Sequence, residues 1–159
     1  MSHLIVLVGI QGSGKSSWAE KEKQRCDIAV VSTDELRALL FGDVTDQSNN
    51  AQVFELAHKL VATYLEAGVD VIYDATNIKK EWRKPLIEIG KKYDAYIICI
   101  YFNIPIETCL DRNFKRNRKV PSDVIKRYHE MIEEPRCSEG FNDVIFTNGW
   151  GRPLREWEA

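Results

Sequence analysis

An apolar stretch, Leu4-Ile5-Val6-Leu7-Val8, runs directly into Gly9-Ile10-Gln11-Gly12-Ser13-Gly14-Lys15-Ser16. The second segment fits G-x-x-x-x-G-K-[ST] at every fixed position, and a buried strand entering a helix is the context that this pattern requires. Glycines give the loop access to positive φ and let backbone N–H groups close on phosphate oxygens. The helix that follows aims the positive end of its dipole at the same oxygens. Lys15 is then placed to reach β/γ-phosphates, facing a solvated ligand and not the core, and the Ser16 hydroxyl to hold Mg²⁺. Gly12, Ser13, Gly14 and Ser17 complete the expected cradle. An ordinary glycine-rich turn would need neither the lysine nor the hydroxyl, so a nucleoside triphosphate is the expected ligand.

Further apolar runs recur at 28–31, 69–73, 96–102 and 144–146. Runs this short and nearly continuous suit parallel strands buried on both faces, and the amphipathic stretches between them suit crossover helices. One such helix carries Val53, Leu56, Ala57, Leu60 and Tyr64 on a single face and stops at Gly68. Pro105 and Pro121 each open a helix from a first-turn position. Pro85 lies inside the pattern from about 79 to 93, so that helix is either kinked or begins nearer Pro85. The sum is an α/β fold, a doubly wound, five-stranded and mainly parallel sheet with its ligand beyond the strands' C-terminal ends. It is expected as one domain over 1–159, with a core from about 4 to 147 and a tryptophan-bearing tail over 148–159.

Two acids stand at the ends of strands. Ser32 and Glu35 have capping-box spacing, which starts a helix there. Asp34 and Arg37 then share one face, with Leu36, Leu39 and Leu40 roughly opposite. This pair reads either as an i,i+3 ion pair on a helix dipole or as a general base with an arginine gripping an anion on the acceptor. Asp74, at the end of Ile72-Tyr73-Asp74, reads as a holder of Mg²⁺ beside Ser16 or as a turn or cap residue. Arg112 and Arg116 share a face near the end of the helix after Pro105, where guanidinium groups grip phosphate or merely meet the helix dipole. Residues 117–120 form only a short link, so any lid is compact.

Composition narrows the class. At 44% hydrophobic and 29% charged residues the chain is an ordinary globular protein, and its longest apolar runs are strand-sized, too short to cross a membrane. No secretory leader is expected, since the first residues lack the charged and apolar parts of a signal peptide. Cys26, Cys99, Cys109 and Cys137 show neither C-x-x-C spacing nor metal-ligand spacing with His3, His58 or His129, as expected of reduced thiols in a cytoplasmic protein. The net charge of −2 hides a basic segment, residues 112–127, with seven basic side chains against Asp123. A basic patch on an acidic body points to a local anionic ligand more than to a general nucleic-acid coat.

Gly9 through Trp18, Ser32-Thr33-Asp34-x-x-Arg37, Asp74-Ala75-Thr76-Asn77 and Arg112-x-x-x-Arg116 follow one another in order. Together they resemble the 5′-kinase domain of polynucleotide kinases over residues 4–147, and Arg83–Ile87 and Glu139–Phe141 are similar segments that carry no chemistry. The resemblance implies a P-loop kinase using ATP and Mg²⁺, with Lys15 and Ser16 on phosphate and metal and Asp34 as general base. It also implies Arg37 on the acceptor's phosphate and Arg112 with Arg116 as lid. No D-x-D-G phosphatase signature and no N-K-x-D guanine motif occurs in the chain. The expected acceptor is a 5′-OH of RNA or DNA. Other P-loop kinases act on small-molecule hydroxyls of nucleosides, sugars or antibiotics, and a switch or ATPase without an acceptor would leave Asp34 and Arg37 without a task. No obligate protein partner is expected.

Overall fold

The structure, a computed structural model, describes residues 1–43, 50–116 and 120–147. The link at 117–119, including Arg118 and Lys119 of the basic segment, and the tail over 148–159 lie outside the described residues. Among these residues five strands are separated by one or two helices each: β1 (His3–Val8), α1 (Lys15–Arg25), β2 (Ala29–Ser32), α2 (Thr33–Phe41), α3 (Asn50–Glu66), β3 (Val71–Asp74), α4 (Lys80–Lys92), β4 (Tyr96–Phe102), α5 (Ile106–Phe114), α6 (Ser122–Met131) and β5 (Asp143–Thr147). A 3₁₀ turn at Cys137–Glu139 precedes β5.

The strands stand in the order β2-β3-β1-β4-β5, and every neighbouring pair is parallel. The expected mainly parallel sheet is thus wholly parallel. β1 is central and enters the core completely from Leu4 to Val8. Its alternate side chains supply two separate cores. Leu4, Val6 and Val8 pack with Val53, Ala57 and Val61 of α3 and Leu86 and Ile87 of α4. Ile5 and Leu7 pack with Trp18 and Ala19 of α1, Cys109 of α5 and Ile125 of α6. Each buried aliphatic side chain contributes about 1.5–3 kcal/mol, which is why a strand with no polar face is stable only between two helical layers. The helices after β1 and β3 therefore lie on opposite faces. The pairing of those two strands ends at Val6–Tyr73, and from there the chain leaves toward opposite faces, the switch point whose crevice binds the ligand in such sheets.

Several local expectations need correction. α4 starts at Lys80 and runs through Pro85, so it does not begin at the proline. Its buried stripe of Arg83, Leu86, Ile87 and Gly90 outweighs the one backbone hydrogen bond that the proline removes. Pro105 and Pro121 occupy the N-cap positions of α5 and α6, one residue before the helical turn. At α2 the Glu35 N–H donates to Ser32 Oγ at 3.3 Å, one half of the expected capping box. Leu36 is buried but Leu39 is 79% exposed, because α2 turns Arg37 toward α3 and its far end lies away from the core. All four cysteines are free thiols; Cys99 and Cys109 are buried, while Cys137 is exposed. Among the described residues no helix is long and apolar enough to cross a membrane.

Candidate active site

The loop between β1 and α1 is built by close approach. Gly12 has φ +83°, and a Cβ there would stand 2.5 Å from the carbonyl oxygen of Cys109 in α5. Gly14, the N-cap of α1, has φ +97°. No carboxylate stands in the first turn of α1, in contrast to Asp34 and Glu35 in α2. The positive end of the α1 dipole is left for an anion. Gly12→Ala is expected to cost about 1–2 kcal/mol for the positive φ alone, with the backbone clash added. It should also weaken nucleotide binding, because the loop must move. Gly42→Ala is the control, with φ +71° but nothing among the described residues within 4 Å of the added Cβ. Thermal unfolding and nucleotide titration of both variants check this, and wild-type binding by Gly12→Ala would rule out a functional close approach.

Lys15 departs from expectation. Its side chain is not turned to solvent: the residue is 8% exposed, and Nζ donates to the carbonyl of Ile10 at 3.1 Å, with Ser13 Oγ at 3.5 Å. The ammonium folds back onto its own loop because carbonyl oxygens are the nearest acceptors. Across the crevice, Ser16 Oγ donates to Asp74 Oδ2 at 2.8 Å. Ser17 is exposed beside it on α1.

The charges of this pair are poorly compensated. Burial pulls the Lys15 ammonium below the usual lysine range, partly offset by Asp74 and then Asp34, and Arg116 works against it as well. Burial pushes the Asp74 carboxyl up, partly offset by Lys15 and by the Ser16 hydroxyl. Both shifts run toward the neutral forms. An anion beside Lys15 and a cation beside Asp74 would reverse both. A hydroxyl and a carboxylate oxygen are hard donors that suit Mg²⁺, and among the described residues no cluster of three metal-ligating side chains exists. Mg²⁺ characteristically takes one or two protein oxygens and completes its shell with water and substrate phosphates, so the donor set fits. The Cys109 thiol is pushed up by burial, against Lys15 and Arg112, and so is not activated as a nucleophile.

Asp34 arrives from the neighbouring strand. Ser32 and Asp74 are register partners of β2 and β3, so the start of α2 stands next to Asp74. The Asp34 side chain is 52% exposed and accepts from Arg37 Nη1 at 2.8 Å. Arg37 is buried: Nε donates to Asn50 Oδ1 at 3.1 Å, and the guanidinium lies over the Phe54 ring at 5.9 Å from its centroid. Asn50 and Phe54 escaped the sequence reading, since neither carries a motif. From the other side of the loop, Arg112 Nη1 donates to the Gly12 carbonyl at 3.2 Å. Arg116 lies close enough to affect the charge of Lys15. One end of the sheet therefore gathers Lys15, Ser16, Asp74, Asp34, Arg37, Arg112 and Arg116.

Residues 4–135 match the AAA domain family. The chain belongs to that family. Among curated relatives, the L-seryl-tRNA(Sec) kinase of Methanococcus maripaludis is 29% identical over 137 residues, covering 83% of this chain and 53% of that protein. The putative bifunctional polynucleotide kinase/RNA ligase of Autographa californica nuclear polyhedrosis virus is 26% identical over 151 residues, covering 82% and 21%. Among solved structures, the Pnkp1/Rnl/Hen1 RNA repair complex contains a chain that superposes with a TM-score of 0.73 at 25% identity, covering 82% of this chain and 43% of that one. The likeness to polynucleotide kinases is thus matched in sequence and in fold. This AAA domain chain spans about half the length of the first relative and about a fifth of the second.

Proposed function

We propose that the protein is an ATP-dependent kinase that moves the γ-phosphoryl group onto a hydroxyl carried by RNA or DNA, the 5′-OH end first. The observation that carries this reading is the exposed Asp34 carboxylate, within electrostatic reach of both Lys15 and Asp74. A nucleotide-binding switch has no use for a half-exposed acid at that point, whereas an acceptor hydroxyl needs one.

The chemistry follows from placement. Backbone N–H groups of the loop and the α1 terminus hold the β- and γ-phosphates, and Lys15 leaves Ile10 for them. Ser16 and Asp74 would hold Mg²⁺, which when bound neutralises charge on the phosphate oxygens. Asp34 takes the proton from the acceptor hydroxyl as its oxygen bonds to the γ-phosphorus. The bond to the β–γ bridging oxygen breaks, and ADP leaves. Arg112 and Arg116 stabilise the charge spread over the transferring group. Arg37 Nη2 makes no hydrogen bond among the described residues and supplies a donor edge for the acceptor's nearest phosphate.

Arg37→Leu is therefore expected to cut kcat/KM for a 5′-OH oligonucleotide by about 1.5–3 kcal/mol, the range for a charged hydrogen bond. The wild type should prefer a nucleoside 3′-phosphate to the bare nucleoside, and the variant should lose that preference. Transfer of labelled γ-phosphate to 5′-OH oligonucleotides, 3′-nucleotides and nucleosides measures both effects. Equal wild-type rates with and without the 3′-phosphate would point to a small uncharged acceptor instead. The 29% identity to a seryl-tRNA kinase favours a second reading, the free side-chain hydroxyl of a serine whose carboxyl group is esterified to tRNA, and seryl-tRNA belongs in the same panel.

A further inference from the structure

We propose that Asn77 is a positioning residue that holds the phosphate loop and Asp74 at a fixed spacing, and that the buried Arg83–Glu139 pair keeps Asn77 in place. The ladder between β1 and β3 ends at the pair Val6–Tyr73, short of both functional groups. Beyond that point two other bonds take over. The Gly9 N–H donates to the Thr76 carbonyl at 3.0 Å, and Asn77 Nδ2 donates to the Leu7 carbonyl at 2.8 Å. Segment 74–77 is thereby stitched to the last residues of β1 and the first residue of the loop. These bonds span the crevice that the Ser16 hydroxyl and Asp74 carboxylate also cross.

Asn77 does this with φ +49°, a left-handed conformation uncommon for a residue with a side chain. Arg83 Nη1 donates to the Asn77 carbonyl at 2.8 Å and so holds that conformation from behind. The other edge of the same guanidinium donates to Glu139, Nε to Oε1 at 2.8 Å and Nη2 to Oε2 at 2.9 Å. Arg83 is 0% exposed and the Glu139 side chain 4%, and Glu139 Oε2 is further fixed by the Arg136 N–H at 3.0 Å. An ion pair buried this deeply gains little net stability over apolar packing, and its value lies in fixing one geometry. Here the geometry fixed is the turn that directly follows Asp74 at the end of β3. Such a brace matters most to a ligand touching both sides of the seam, a nucleotide on the loop with its cation on Asp74.

The inference rests on the nucleotide-binding part of the proposed function. Its test is the tightening of a fluorescent ATP analogue by Mg²⁺, read as the ratio of Kd in EDTA to Kd in Mg²⁺, beside the Tm of each variant. Asn77→Gly keeps access to positive φ and deletes the Nδ2 bond to Leu7, with the weaker one to the Ala75 carbonyl at 3.4 Å. It should bind the metal-free analogue within about twofold of the wild type yet lose about tenfold of the Mg²⁺-dependent tightening. Glu139→Gln preserves shape and should shift the ratio in the same direction by a smaller factor, and it decides the matter if Asn77→Gly does not fold. A fall in Tm with an unchanged ratio in the folded variants would overturn the positioning role. A wild type that binds no nucleotide would overturn the proposed function, and this inference with it.

Discussion

Asp34→Asn is expected to lower kcat by about 10²–10⁴ while leaving nucleotide affinity nearly unchanged. The amide has the size of the acid and still accepts from Arg37, but it cannot take the acceptor's proton. The fold should survive because Ser32, not Asp34, caps α2. What is lost structurally is a first-turn charge worth about 0.3–1 kcal/mol, together with the counter-charge of the buried Arg37, which keeps its bond to Asn50. Single-turnover transfer to a 5′-OH oligonucleotide, with nucleotide binding measured in parallel, separates the cases. An unfolded or nucleotide-blind variant would assign Asp34 a structural role, and full activity would remove it as base.

Lys15→Ala is the second large effect, a fall in kcat of about 10²–10³ for one preorganised cation at the transferring phosphate. Its stability consequence is smaller because two terms oppose. The hydrogen bond to Ile10, worth about 1.5–3 kcal/mol for a charged donor, is lost. Against this, a desolvated ammonium is removed from a site where burial already disfavours its charge. Thermal unfolding should show a folded protein, and transfer at the wild-type rate would refute the assignment.

The loop, the strand pattern and the acids at the strand ends were legible because each is a local signal. A glycine pattern demands positive φ, and continuous apolar runs demand two buried faces. Gly68, with φ +78°, ends α3 two residues on, as its composition suggests. What was not legible depends on contacts distant in sequence. The fold-back of Lys15 onto Ile10 is a competition between carbonyls and an anion that no spacing encodes. Asn50 and Phe54 meet Arg37 only because α3 packs beside α2. Arg83 did leave a trace, since it sits at i, i+3, i+4 and i+7 with Leu86, Ile87 and Gly90 on a buried stripe. An arginine on such a stripe demands a buried acid, and Glu139 supplies it from 56 residues away.

The central claim is that this site transfers phosphate to a hydroxyl and does not merely hydrolyse ATP. The most direct measurement is ADP release with and without a 5′-OH oligonucleotide, with the labelled γ-phosphate located in the same reaction. ADP release should be nearly silent alone and rise when the oligonucleotide is added, with one labelled phosphate on the 5′ oxygen per ADP formed. Release at the same rate without acceptor, with all label in inorganic phosphate, would contradict the account.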